Sequence, residues 1–342
     1  MNIYDKKHNS NNKLYLGIQI LRIIFSFHIL VFHCINKKNY KSKFVNSVEL
    51  DLKTFFIISF YFSYNTFTSR NILKIKIRFK RLLIPYILWP VIFLIIDNIN
   101  SFRNIILFKK IKYLYYQILM GIGINGVFWF LFTLIFLSIL FLIIIFIFKK
   151  RYLVYLTFIG ILSFLFDNSS FNKNIPLIFN KMAYSSIRKI PSSFISLFFG
   201  FYISSIKAID KINKFKFKNL VRIIVFLLFC VFRFVNGIFN KYLYISIFIP
   251  YFSAISLFIF FMIFPFDNIK NVIYYNTIKI LSTYSAGIYY IHNKVYYYLN
   301  LSKIKFEKGT MKMCIIIYIL CYIICFFGHF TFKKLKLRYL FI

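Results

Sequence analysis

The sequence predicts an all-α protein, a polytopic bundle of about ten transmembrane helices. Three observations carry this: 60% of the 342 residues are hydrophobic, the mean hydropathy is +0.72, and apolar runs near bilayer length recur along almost the whole chain. A hydrocarbon core takes about 20 apolar residues per helix, and an ordinary soluble domain is far less apolar than this. No stretch leaves room for a separate soluble domain, so residues 1–342 are expected to form a single integral-membrane domain.

Apolar windows place the spans at 14–35, 52–67, 82–96, 127–148, 152–166, 190–206, 220–239, 242–264, 281–299 and 311–332. The first run exceeds a signal-peptide h-region and is followed by Asn36-Lys37-Lys38 rather than small residues, which predicts a retained anchor. With a cytoplasmic N-terminus, the inside segments hold more Lys and Arg although the outside ones are longer. This favours both termini inside, at the cytoplasmic membrane. The segment from Arg70 to Arg81 is then a basic inside stretch, with Pro85 in the first turn of the third span. Residues 97–126 read as a short interfacial helix followed by a flexible entry at Gly121, Gly123 and Gly126, and 207–222 as a lysine-rich inside loop.

A formal net charge of +37 would ordinarily suggest a nucleic-acid partner. The basic residues fall in short loops between spans and follow a chain-wide bias towards Ile, Lys, Asn, Tyr and Phe, so no nucleic acid is expected. The five cysteines lie in or at the ends of apolar spans, and none has C-x-x-C spacing. There is no metal-ligand cluster and no Ser-His-Asp pattern, so no bound metal is expected.

The chemistry concentrates in the first span, LYLGIQILRIIFSFHILVFHCI, which carries Arg22, His28 and His33 inside a bilayer-length run. A charge at that depth is costly unless it faces protein or a wet cavity. Arg22 and His33 are eleven residues apart, three turns plus about 20°, and therefore share a face about 16 Å apart along the axis. Gln19 and Ser26 join that stripe and His28 lies off it. In the ninth span, Ser285, Tyr289, His292 and Tyr296 fall on one face as a second polar stripe. Arg78 and Arg81, three apart, share a face at the start of the third span. Taken singly, these residues also fit a structural arginine, a satisfied histidine and an ordinary positive-inside segment.

Their order is more informative. Arg-x10-His at Arg22 and His33, Phe-Phe-x-x-Ser at 55–59, Arg-x-x-Arg at Arg78 and Arg81 before Leu-Leu-x-Pro-Tyr, Trp-Phe-Leu at Trp129, and Ser-x-Gly-Ile-Tyr-x-Ile-His at 285–292 follow one another along residues 14–299. This series resembles the acyltransferase-3 family of integral-membrane O-acyltransferases.

The resemblance implies transfer of an acyl group, most often acetyl, from acyl-CoA on the cytoplasmic side to a hydroxyl of an extracytoplasmic glycan or lipid-linked saccharide. It puts His33 and Arg22 in the catalytic positions and Arg78 and Arg81 at the phosphates of the coenzyme. Acetyl-CoA would be a co-substrate, with no permanently bound cofactor, and membrane lipids would surround the chain. In the ninth span, Ser285, Tyr289 and His292 are candidates for substrate contact, as is Trp129. Glu49 and Asp51, the closest pair of acids, are candidates to orient the imidazole. Two positions depart from the family pattern: Phe60 stands where a small residue follows the serine, and Val127 where a histidine often precedes the tryptophan motif. The competing readings are a transporter or flippase whose Arg22, His33 and His292 line a permeation path, and an inactive relative.

Overall fold

A computed structural model describes residues 16–35, 48–99, 114–116, 118–119, 121, 128–168, 189–238, 248–264, 272–301, 310–333 and 340. Among these the chain is helical, with no strand: α1 Leu16–Cys34, α2 Val48–Thr68, α3 Ile72–Ile99, α4 Trp129–Phe148, α5 Tyr152–Asn168, α6 Lys189–Ser205, α7 Ala208–Lys214, α8 Lys218–Ile238, α9 Ile249–Ile263, α10 Val272–Thr283, α11 Ser285–Leu301 and α12 Met311–Lys333.

The all-α expectation holds among the described residues, and the count of ten spans is not confirmed there. Four stretches among the described residues are long and apolar enough to cross a bilayer: Leu16–Cys34, Ile72–Asp97, Trp129–Phe166 and Met311–Phe332. The pair α6 and α7, bent by 49°, makes a fifth if it is one span. The described helices differ from the expected spans in three ways. Helix α2 carries Ser59, Ser63 and Thr66 towards an internal cavity and is too polar, and α9 is only 15 residues long. The stretch Trp129–Phe166 joins two expected spans through a 3-10 turn at Lys149–Arg151, where Lys149 (φ 43, ψ −108) breaks the helix.

Three further expectations change. Helix α3 starts at Ile72, so the basic stretch is already helical and Pro85 lies in the interior with Pro90 rather than in a first turn; neighbouring helices make such prolines tolerable in a membrane bundle. The lysine-rich loop contains α7. Glu49 and Asp51 belong to the first turn of α2 rather than to a loop before it. Of the expected interfacial segment, residues 114–116 and 118–119 are helical and Gly121 turns with φ +70 against Phe132 and Trp129, whereas Gly123, Gly126 and Val127 lie outside the described residues.

Helix α1 sits at the centre, packed against α2, α9, α10, α11 and α12. Its two buried flanks feed different cores. Leu30, Val31 and Cys34 join α3, α11 and α12, while Ile18, Leu21 and Phe25 join α2 and α9. A third core lies between α2, α4, α5 and α6. Large apolar side chains on α3, α4, α5, α8 and α12 remain exposed, among them Ile147, Phe158, Phe234 and Phe327. Apolar surface on this scale belongs in lipid, and the chain is an integral membrane protein.

The closest helix contact joins α2 and α6. A Cβ on Gly200 would fall on the Ile57 carbonyl, so only glycine permits this approach. Phe60 therefore does not keep α2 away from its neighbours. Gly200→Val should force the pair apart at a cost of about 1–3 kcal/mol, read as a lower thermal unfolding midpoint in detergent. An unchanged midpoint would rule out the contact.

Candidate functional site

A cavity of about 650 Å³ opens between α1, α2, α3, α4 and α11. Helix α1 contributes Gln19, Arg22 and Ser26, the stripe expected from helical spacing, followed one turn on by Ile29. Helix α2 contributes Ser59, Ser63 and Thr66, helix α3 Lys74, Arg78 and Arg81, and helix α11 Ser285 and Tyr289. None of the described lining residues is acidic. Three guanidinium groups and an ammonium face this volume, which suits a multiply charged anion.

Arg78 is held by hydroxyls and aromatic rings. Its Nη2 donates to Ser59 Oγ at 3.1 Å and to Ser138 Oγ at 3.5 Å. Its guanidinium lies 5.4 Å from the Phe60 ring and 5.2 Å from the Phe67 ring, both at cation–π distance. Its Nε is buried without a hydrogen-bond partner. The aromatic side chain at position 60, which the family pattern would not suggest, is thus part of the seat of Arg78. On α1, Ser26 Oγ donates to the Ile23 carbonyl at 2.8 Å and lies 3.2 Å from Tyr318 Oη.

His33 and His292 lie outside the cavity lining but within ring contact of its wall. Tyr289 lines the cavity and its centroid is 6.1 Å from that of His292, which in turn lies 5.2 Å from His33. His292 is fully buried. Its Nδ1 lies 2.8 Å from the Tyr289 carbonyl and 3.2 Å from the Ile288 carbonyl. Carbonyls only accept, so Nδ1 carries the proton in the neutral ring and Nε2 is left as a lone pair; that atom is buried without a partner. His33, in the last turn of α1, is exposed. The structure thus brings together Arg22, Arg78, Arg81, Ser285 and Tyr289 in one cavity, and His33 with His292 beside it.

Trp129 is not among the lining residues. It packs near Phe56 and carries the Lys189 ammonium 4.0 Å from its ring centre. Its neighbour Phe130 lines the cavity instead, 5.7 Å from Tyr289. The side chains of Glu49 and Asp51 lie outside the described residues, so their expected orienting role has no geometry here. One acid that the sequence reading passed over does link two of the cavity helices. Asp97 accepts from Lys294 Nζ and from Tyr298 Oη, each at 2.6 Å, and so ties α3 to α11 two residues beyond His292. Only chain folding brings residues 97 and 294 together, and no local pattern marked the pair. Cys34, Cys314, Cys321 and Cys325 are buried free thiols, and no three His, Cys, Asp or Glu side chains among the described residues group as a metal site.

In comparison with protein families, the family model described as an acyltransferase domain matches residues 15–330. The chain belongs to the acyltransferase-3 family. Every sequence motif that pointed there lies within the matched segment, and all five contribute a residue to the cavity wall or to the histidine pair, the tryptophan motif through Phe130 rather than Trp129. As an acyltransferase-3 protein the chain is a membrane acyltransferase. Comparison with curated proteins and with solved structures finds no match.

Proposed function

We propose that this protein moves an acyl group, acetyl in the simplest case, from acyl-CoA to a hydroxyl of an extracytoplasmic or lipid-linked glycan. The observation that carries the reading is the cavity onto which Arg22, Arg78 and Arg81 converge, whose wall at Tyr289 is in ring contact with the His292–His33 pair. Such a cavity offers charge-assisted hydrogen bonds to the phosphates of the coenzyme. The imidazoles offer proton transfer at the end of α1. Both termini and the arginine end face the cytoplasm in this reading, at the cytoplasmic membrane.

A thioester is already activated, so the protein must chiefly manage a proton and an anionic intermediate. His33, as general base, takes the proton of the acceptor hydroxyl while the oxygen attacks the thioester carbonyl. The C–S bond breaks, an ester C–O bond forms, and the proton passes to the departing thiolate. Alternatively, His33 accepts the acyl group first and the acceptor hydroxyl then removes it from the imidazole. Arg22 steadies negative charge along the path in either route.

The test is turnover of radiolabelled acetyl-CoA by the purified chain in lipid, with and without a glycan acceptor, beside an Arg22→Ala, His33→Ala double variant. Thioester consumption by wild type alone supports the reading, and label trapped on His33 selects the carrier route. Absence of consumption together with proton-coupled solute movement would replace it with a transporter.

A further inference from the structure

The mouth of the cavity carries a cation that the motif residues leave unexplained. Lys74 is exposed and lines the cavity one helical turn before Arg78, on the same face of α3. Its backbone is fixed: the Lys74 N–H donates to Asn71 Oδ1 at 3.1 Å, the N-cap bond of a 28-residue helix. No described carboxylate pairs with its ammonium. Arg78, by contrast, lies deeper and is held by Ser59 Oγ.

Lys74 is thus exposed where Arg22 and Arg78 are half-buried, with Arg81 exposed as well, and the anions of coenzyme A are likewise spread along its length. Its diphosphate leads to the pantetheine arm and the thioester, whereas the phosphate monoester on the ribose sits at the adenosine end, furthest from the reacting carbonyl. A monoester carries close to two negative charges at neutral pH. A thioester directed inwards towards Tyr289 puts the diphosphate among the arginines and the monoester at the mouth. We infer that Lys74 is a specificity residue that binds the ribose 3′-phosphate of the acyl donor and selects coenzyme A over 3′-dephospho-coenzyme A. This rests on the acyl-CoA reading above.

The test is equilibrium binding of coenzyme A and of 3′-dephospho-coenzyme A to the full chain in lipid nanodiscs, for wild type, Lys74→Gln and Lys74→Arg. The expected result is a wild-type preference for coenzyme A of about tenfold, the scale of one charge-assisted contact. Lys74→Gln should remove that preference while leaving the affinity for the dephospho form unchanged, and Lys74→Arg should keep it. Equal loss of both ligands in Lys74→Gln, or a wild type that does not distinguish them, overturns the inference while leaving the donor reading intact. A folded wild type that binds neither ligand overturns both.

Discussion

His33→Ala is expected to lower kcat for acyl transfer by about a hundredfold or more, the scale of a lost general acid–base group, while leaving KM for the acyl donor within a few-fold of wild type. The split follows from the geometry. His33 stands outside the described cavity wall and reaches it through His292 and Tyr289, so it is expected to contribute more to the chemical step than to holding the donor. Steady-state kinetics on the purified, folded variant checks this. A KM raised in parallel with an unchanged kcat would move His33 from chemistry to binding.

Arg78 should show the opposite pattern. Arg78→Met removes a guanidinium that lines the cavity and is expected to raise KM for the acyl donor by about tenfold to a hundredfold, the range of a lost charge-assisted contact, with a smaller change in kcat. Arg78→Lys should be almost as impaired. An ammonium cannot place one planar fork near both Phe60 and Phe67 while donating to Ser59 and Ser138. Full rescue by lysine would mean that charge alone matters at this position. Direct binding of coenzyme A to each variant separates affinity from turnover.

The parts of the site that were legible in the sequence are those governed by helical periodicity. Gln19, Arg22 and Ser26 stand out because a polar stripe at i, i+3 and i+7 has no reason to exist in a lipid-facing helix, and Ser285, Tyr289 and His292 are legible for the same reason. Spacing along one helix says nothing about contacts between helices. The pairing of His33 with His292, the seat of Arg78 on Phe60, the tie from Asp97 to Lys294 and the fit of Gly200 to Ile57 all join residues from different helices or distant turns, and none leaves a local signature. Element boundaries failed for a related reason. Hydropathy windows stop at charged residues, whereas the backbone of α3 continues through Lys74, Arg78 and Arg81 because those side chains face a cavity. The same windows count α9 and α11 as spans, and their described lengths are 15 and 17 residues.

The cationic wall has a consequence for handling the protein. Arg22 and Arg78 each lie within electrostatic reach of Arg81 beside one cavity. An anion entering among them is expected to relieve that like-charge repulsion. Ligand binding of this kind adds to the folding free energy in proportion to the logarithm of anion concentration. The thermal stability of the purified chain is thus a function of its buffer anion, and multivalent anions such as sulfate and phosphate should both protect the fold and compete for the site under study.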